Sequence, residues 1–269
     1  MIKRGIKAKT VANFLNISVS SIYYHPTQKY KDKIFYSLIK QIANSFPFYG
    51  YRRIHNILRS NGHQINHKRV YRIYKELNLQ KVKFKKRKKI VISNNNSITS
   101  PKYPNHVWSI DFAFDEIENG KKIKIMPVYD IFSRFCIMIK ADYSICADSM
   151  IETLKKCFSQ YGKPEIIRTD NGPEFRSKKF ISFLGKNRVK QEFIAKGSPW
   201  ENGNIESFIG KLREECLNMH VFRDINEANE TIDKFRHFYN TNRPHSSIGG
   251  RYPYEYYFKI AIWLFNWHF

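Results

Sequence analysis

The stretch VWSIDFAF (residues 107–114) carries the residue pattern that decides the fold of this chain. Successive residues of a strand point to opposite faces, so Trp108 and Phe112 are expected on one face and Ser109 and Asp111 on the other. An isolated aspartate in a strand is more often structural than catalytic. Asp111 becomes informative because two later segments, one strand-like and one helical, each carry an acidic residue that could share a site with it.

The first of these is Asp170, which ends a second strand-like run, EIIRTDNGPEF (165–175). The second is Glu206, on the helical run SPWENGNIESFIGKLREE (198–215), with 35 residues between the two acids. Three carboxylates on separate elements form an oxygen donor set that suits Mg²⁺, and two such ions can hold the attacking and leaving oxygens of a phosphodiester. The sequence therefore predicts a site for two divalent cations.

The elements around these runs follow a definite order. Asn119-Gly120 predicts a hairpin turn after the first strand. Further strands are expected near 123–130, 134–140, 165–169 and 191–195. A helix with Asp148 near its start is expected after the second of these strands and is ended by Gly162 and Pro164. Other helices are expected near 177–187 and around Glu206. Three antiparallel strands followed by α-β-α-β-α elements is the order of a ribonuclease H-like core. We predict an α/β fold with a mixed five-stranded sheet and helices, preceded by a small all-α region of helix-turn-helix type.

The helix that contains Glu206 carries an apolar stripe and, beside it, a face with charged residues. Ile205, Phe208 and Leu212 recur at helical spacing and are expected to face the core. Glu206 and Arg213 lie seven residues apart on an adjacent face. We therefore expect the basic side chain to face the same cleft, two turns away from the carboxylate.

Other acidic residues near these segments receive less weight. They stand in turns or beside basic residues, where carboxylates are usually solvated or form surface pairs: Asp115, Glu116, Glu118, Asp130, Glu174, Glu214 and Glu215. Of this set, Glu174 is the one considered for a place near the site. Glu214 and Glu215 flank Arg213 and are interpreted as its surface partners.

Charge is concentrated in residues 1–100, which contain 22 Lys+Arg and 2 Asp+Glu, a net of +20 in a chain of formal charge +24. A field of this size favours a polyanionic partner, and nucleic acid is the expected one. A solvated surface rarely needs so one-sided an excess. Membrane binding would need a basic helix with a strong apolar face, which residues 81–89 lack.

Residues 1–80 are interpreted as helical. Val11, Phe14 and Leu15 lie at helical spacing, and Ser20 is expected to cap a second short helix; this pattern resembles a helix-turn-helix and is equally typical of other small helical hairpins. A further pair of helices is expected near 51–60 and 66–77. Basic side chains on this pair and on the following segment KVKFKKRKK are predicted to contact DNA phosphates: Arg52, Arg53, Arg69, Arg72, Lys85, Lys86 and Arg87.

Cysteine usage and apolar segments indicate the compartment. Cys136, Cys146, Cys157 and Cys216 form no CxxC pair, and we interpret them as small core residues in a reducing compartment. No signal peptide is visible, and the apolar tail IAIWLFNWHF (260–269) is too short to span a bilayer. We expect a cytoplasmic, nucleoid-associated protein with no membrane attachment, whose tail packs on the core or on a partner.

Together, Asp111, Asp170, the 35-residue gap, Glu206 and Arg213 resemble the DD(35)E signature of integrase-core transposases. Four segments narrow the resemblance to the OrfB transposase of the third bacterial insertion-sequence family, within the retroviral integrase superfamily. They are VWSIDF, RTDNGPEF, SPWENGNIESFIGKLREE and YNTNRPHSSIGGRYP. YGYRRIHNIL followed by NHKRVYRIYKELNL is similar to the small helical domain that precedes its catalytic core.

The resemblance implies residue roles. Asp111, Asp170 and Glu206 would be the catalytic residues and would hold two Mg²⁺ ions, with Mn²⁺ as a substitute. Arg213 would bind phosphate at the transposon end, and Lys211 is placed with it among the DNA contacts. Asn171 would shape its loop or touch DNA, whereas the role of the motif that contains Arg243, Pro244 and His245 does not follow from the sequence.

The resemblance also implies a reaction and partners. Hydrolysis at the transposon end would free a 3′-hydroxyl, which then attacks a second phosphodiester. Transposon terminal repeats and target DNA would be the substrates, with a homo-oligomer on DNA and a possible OrfA partner or fusion. A metal-dependent nuclease that cuts without joining, and a catalytically silent DNA-binding relic, remain alternatives.

Two further expectations concern metal and organisation. His63 and His67 have HxxxH spacing, but no cysteine precedes Cys136, so no zinc module is predicted. Five segments are predicted: a helix-turn-helix-like segment at 1–40, a small helical DNA-binding domain at 41–80, a basic linker at 81–100, a ribonuclease H-like integrase catalytic core at 101–220 and a C-terminal helical extension at 221–269.

Overall fold

The computed structural model describes residues 7–23, 28–80, 98–194 and 202–265 of the chain. Its residues fall into two units, Met1–Phe84 and Lys85–Phe269. The five-segment division remains a prediction, and the basic run at 81–89 lies outside the described residues. Among the helices of the described part, none combines the length and apolarity needed to cross a membrane.

The first unit is helical. Its described elements are α1 (Ala8–Leu15), α2 (Val19–Ile22), α3 (Gln28–Ser45), α4 (Tyr51–Ser60) and α5 (His67–Glu76). The helices α4 and α5 match the ranges predicted from the sequence. Ser18, rather than Ser20, caps α2, because its Oγ accepts the N–H of Ser21 at 3.2 Å. Of the three apolar residues at helical spacing in α1, Val11 is buried, together with Ala12, whereas Phe14 and Leu15 are exposed.

The second unit is built on one mixed sheet. Its strands are β1 (Val107–Ile110), β2 (Ala113–Glu116), β3 (Lys122–Asp130), β4 (Cys136–Asp142), β5 (Ile166–Thr169) and β6 (Lys190–Phe193). Strands β1 and β2 both pair antiparallel with β3 in one continuous register, and β4 pairs with the other side of β3. Strands β1, β5 and β6 are parallel neighbours. The sheet is mixed, as predicted, but it has six strands instead of five, because the predicted first strand is divided into β1 and β2.

The prediction that residues 107–114 form a single strand is wrong, because the ladder opens at Asp111. Val107 and Ile131 form a hydrogen-bonded pair, in which the N–H of Ile131 donates to the carbonyl of Val107 at 3.1 Å. Along an antiparallel ladder, such pairs alternate with pairs that are not hydrogen-bonded. Continuing this register places Asp111 opposite Pro127 as the second hydrogen-bonded pair beyond Val107. Proline has no N–H to donate, so β1 ends before Asp111 and β2 begins two residues later.

Five helices cover the two faces of this sheet: α6 (Ala147–Tyr161), α7 (Lys178–Lys186), α8 (Gly203–Glu215), α9 (Ile225–Thr241) and α10 (Pro253–Phe265). Alternation along β3 divides the core into two clusters. Ile125 and Tyr129 pack with α8 and α9, whereas Met126 and Val128 pack with α6 and α7. The helix α8 is thereby held on the sheet by its apolar stripe, as its sequence predicted.

The cysteines only partly follow the prediction. Cys136, Cys157 and Cys216 are buried, whereas Cys146 is exposed. The interpretation of Cys146 as a core residue is wrong, because it is the residue that precedes the first turn of α6. At the other end of α6, Gly162 has φ 80°, which ends the helix where the sequence indicated.

Candidate active site

The register of two parallel strands brings Asp111 and Asp170 together. Strand β1 pairs with β5 so that Val107 lies beside Ile166 and Ser109 beside Arg168. The same offset continued by two residues sets Asp111 beside Asp170, and each aspartate directly follows the last residue of its strand. Both carboxylates therefore stand at the same edge of the sheet, where the carboxyl ends of parallel strands commonly form ligand sites.

Glu206 lies in the first turn of α8, and its charge acts on Asp111. Burial raises the pKa of Asp111 to about 6, and the negative charges of Asp170 and Glu206 add to the rise. The N–H groups that Phe112 and Asn202 donate to this carboxylate act in the opposite direction. The three predicted carboxylates are thus near enough for their charges to interact.

The donor set consists of carboxylate oxygens, the ligands that hard divalent cations prefer. A cation between these residues would also relieve their mutual repulsion. Within residues 7–23, 28–80, 98–194 and 202–265, however, no group of three or more His, Cys, Asp or Glu side chains is arranged to hold a metal ion. The chemistry of the donors fits a divalent cation, while their present arrangement does not enclose one.

The loop after β5 fixes the second carboxylate. Gly172 donates its N–H to Asp170 Oδ1 at 3.0 Å. The Asn171 side chain donates to the carbonyl of Ile194 at 2.8 Å and so ties this loop to the residue after β6. Of the two roles considered for Asn171, this contact supports the shaping of the loop, and a contact with DNA remains a prediction.

Three further residues lie beside the carboxylates. The sequence analysis did not identify Asn202 or Lys124, and it only considered Glu174 for a place near the site. Asn202 donates its amide N–H to Asp111 Oδ2 at 2.9 Å. Lys124 forms an ion pair with Glu174, and its Nζ lies 3.7 Å from the centroid of the Phe112 ring. The position of Asn202, four residues before Glu206, was a usable signal because residues at this spacing share a helix face. Lys124 gave no such local signal.

Arg213 and Lys211 lie on the helix α8. Arg213 is exposed, and its Nη2 donates to the carbonyl of Phe114 on β2 at 3.0 Å. Lys211 donates to the carbonyl of Ser207 at 2.9 Å. Both cations are on the helix that supplies Glu206, and their contacts with DNA remain predictions.

Comparison with known proteins agrees with this architecture. Integrase core domain families match residues 101–199 and 187–253, and an HTH-like domain family matches residues 29–88. The 31.7 kDa protein of insertion element IS407 from Burkholderia multivorans is 33% identical over 254 residues, which cover 94% of this chain and 91% of that protein. The chain belongs to the OrfB-type transposases of insertion sequences.

Other relatives of this transposase carry similar descriptions. The 39.2 kDa protein of insertion element IS476 from Xanthomonas euvesicatoria is 37% identical over 216 residues, 80% of this chain and 62% of that protein, so the chain spans less than two thirds of its length. The transposase of IS904 from Lactococcus lactis is 28% identical over 224 residues, 77% of this chain and 87% of that protein.

A solved structure supports the fold. A chain of the simian T-cell lymphotropic virus intasome in complex with PP2A regulatory subunit B56 gamma aligns with a TM-score of 0.54 and 16% identity, covering 81% of the transposase and 74% of that chain. The predicted ribonuclease H-like core with a preceding helical region is therefore confirmed. As a transposase with an integrase core, the chain is a polynucleotidyl transferase that acts on DNA.

The basic residues predicted to contact phosphate differ in their surroundings. Arg69 and Arg72 on α5 both form ion pairs with the buried Asp32 of α3, so they also join two helices. Arg52 is exposed on α4, and the guanidinium of Arg53 lies 5.1 Å from the Tyr49 ring centroid. The remaining three, Lys85, Lys86 and Arg87, lie outside the described residues.

The C-terminal motif of the transposase acquires a structural role. Arg243 donates to both carboxylate oxygens of Glu215, at 2.8 and 2.7 Å, and both side chains are buried. His245 Nε2 lies 3.3 Å from Arg243 Nη1. The interpretation of Glu215 as a surface partner of Arg213 is wrong, because the segment after α9 covers it. The motif holds the end of the helix that supplies Glu206.

Proposed function

We propose that this transposase uses Asp111, Asp170 and Glu206 as the ligands of two divalent cations, Mg²⁺ with Mn²⁺ as a substitute, to cleave and join DNA at the ends of its insertion sequence. The observation that supports this most is the β1–β5 register, which sets two carboxylates side by side at one sheet edge. The charge of Glu206 acts on the same place from α8.

The reaction proposed has two steps at phosphorus. In the first, water displaces the 3′ oxygen at the end of the element and frees a 3′-hydroxyl. In the second, that hydroxyl attacks a phosphodiester of the target, one strand is joined, and the displaced 3′ oxygen leaves. When bound, divalent cations supply Lewis-acid stabilisation of the attacking and leaving oxygens. No serine or tyrosine nucleophile is required.

The residues of the chain itself have separate tasks in this proposal. Asp111 and Asp170 present carboxylates from two neighbouring strand ends that the sheet holds in place. Glu206 completes the set from a helix that packs on the core through its apolar stripe and whose C-terminal end is held by the Glu215–Arg243 pair. Arg213, exposed on the same helix, binds a backbone phosphate of the transposon end.

The proposed partners are the terminal repeats, a target DNA and further copies of the chain. Two ends must be brought together for transposition, so an assembly with more than one copy on DNA is expected. An OrfA protein, separate or fused, is a further proposed partner. A cytoplasmic location with association to the nucleoid accords with a DNA-acting enzyme.

The experiment is a strand-transfer assay on a labelled duplex that carries the element's own terminal repeat, with Mg²⁺ or Mn²⁺. Glu206→Gln keeps the shape of the side chain and removes its charge, while Glu214→Gln, at an exposed position of the same helix, is the matched control. Wild type and the control should nick and join, and Glu206→Gln should bind DNA without either reaction. Cutting without joining by wild type would favour a nuclease. Metal-independent binding alone, identical in all three, would favour a silent DNA-binding protein.

A further inference from the structure

Asn202 stands at the junction of the helix α8 and the strand β1, and it is only 6% exposed. It is the N-cap residue of α8, a position where asparagine is favoured because its side-chain oxygen accepts an N–H from the first turn. Here the side chain makes no such capping bond. Its polar atoms are directed to the end of β1 instead, so the stability of the helix end does not explain this asparagine.

Both polar atoms of the Asn202 side-chain amide form hydrogen bonds. Its Nδ2 donates to Asp111 Oδ2 at 2.9 Å, and its Oδ1 accepts the hydroxyl of Ser109 at 3.2 Å. Ser109 and Asp111 are two residues apart. The Asp111 carboxylate fixes the orientation of the amide, because a flipped amide would direct its oxygen at an acceptor, and the hydroxyl of Ser109 holds the amide oxygen.

The result is a carboxylate with a defined orientation. Asp111 Oδ1 accepts the N–H of Phe112 at 2.8 Å and Oδ2 accepts Asn202, so each oxygen has one donor and keeps a second lone-pair direction for a cation. Asn202 also precedes Glu206 by four residues on the same helix. A single amide therefore links the orientation of one proposed cation ligand to the position of another.

We propose that Asn202 is a positioning residue, which orients Asp111 for a divalent cation and sets the start of α8 so that Glu206 stands opposite it. This inference rests on the proposed cation site. It assigns Asn202 no contact with DNA or with the reacting phosphate. Groups that orient a metal ligand typically change metal affinity by about ten- to a hundredfold when removed.

The test compares full-length Asn202→Leu, which keeps the volume and removes both hydrogen bonds, with Asn204→Leu. Asn204 lies two residues further along α8 and accepts a hydrogen bond from Arg134 instead. Calorimetric titration of the DNA-free protein with Mn²⁺ gives the Kd, and thermal unfolding without metal reports the fold. Asn202→Leu should raise the Mn²⁺ Kd about tenfold or more, and Asn204→Leu should leave it unchanged.

A second variant covers the case in which Asn202→Leu does not fold. Ser109→Ala keeps the amide donor and removes the hydroxyl that holds the amide oxygen, so the Kd for Mn²⁺ should rise about threefold. A wild-type Kd in whichever of the two variants folds would overturn the inference. A wild type that binds Mn²⁺ but does not join DNA would contradict the proposed function alone, because the titration still decides the role of Asn202. A wild type that binds no Mn²⁺ would overturn both.

Discussion

Gly172 and Asp170 are related by a close contact at the active-site edge of the sheet. The N–H of Gly172 donates to Asp170 Oδ1 at 3.0 Å, and a Cβ placed on Gly172 would lie at the same 3.0 Å from that oxygen. It would also lie 3.4 Å from Glu174 Oε2. The residue after Asn171 is therefore small because the carboxylate of Asp170 occupies the space.

We expect Gly172→Ala to displace the Asp170 carboxylate by a few tenths of an ångström and to reduce strand cleavage about tenfold or more, since small misplacements of reacting groups are costly. The backbone of Gly172 needs no positive φ, so folding should be retained. Gly185→Ala on α7, where a Cβ meets nothing within 4 Å, is the control and should cleave like wild type. The measurements are the cleavage rate and the thermal midpoint of both variants. A Gly172→Ala protein that cleaves DNA at the wild-type rate would contradict the expectation.

The buried pair of Glu215 and Arg243 leads to a prediction about stability. Arg243→Leu removes both hydrogen bonds that the guanidinium donates to Glu215, and the breaking of a buried ion pair typically costs about 3–5 kcal/mol. The double variant Glu215→Leu/Arg243→Leu should regain most of this loss. Denaturant unfolding provides the measurement. Arg223→Ala, which breaks an exposed pair with Glu227, should leave the free energy of unfolding nearly unchanged; equal effects of the two arginine variants would count against a buried clamp.

The pKa of Asp111 predicts a pH dependence in the metal-free protein. The folded state keeps this proton up to about pH 6, whereas the group's ordinary pKa is 3.8. The folded state therefore binds more protons between these values, and its stability falls as the pH rises from about 4 to about 6. Asp130, which burial also raises to a pKa of about 6, contributes a slope of the same sign.

Asp111→Asn should accordingly remove part of this slope and stabilise the metal-free protein at pH 7 by about 1–2 kcal/mol, while it abolishes cleavage. Thermal unfolding in the presence of a chelator, at pH values from 4 to 7, measures the difference between the two proteins. Addition of Mn²⁺ should stabilise wild type and not the variant. Superimposable pH profiles for wild type and Asp111→Asn would show that Asp111 does not carry the slope.

Arg52 and Arg69 are both predicted to contact DNA, but only the replacement of Arg69 is expected to lower stability as well. Arg52 is exposed, so Arg52→Gln should weaken binding to all sequences and reduce the magnitude of the slope of log K against log salt by about 0.9, without a change in stability. Arg69 joins α5 to the buried Asp32, so Arg69→Gln should lower the thermal midpoint as well. Salt-dependent binding to a duplex, together with unfolding of each variant, separates the two; a stable Arg69→Gln protein would contradict the assignment.

The sequence by itself determined most of the helices and strands and the identity of the candidate ligands. The spacing of Ile205, Phe208 and Leu212 predicted the buried face of α8, and Gly162 predicted the end of α6. These features could be predicted because periodicity and turn residues act over a few neighbouring positions. The order of the elements then indicated the sheet, since few topologies satisfy it.

The tertiary structure alone decided the contacts between distant residues. Pro127 interrupts the strand at Asp111, Asn202 orients the same aspartate, and Arg243 buries Glu215, although each pair is separated by at least 16 positions in the chain. A side chain can accept many partners of suitable chemistry, and local patterns do not distinguish among them. Packing of α8 and α9 on the sheet selects one partner for each, because a buried polar group must find its hydrogen bond within the space that the fold leaves.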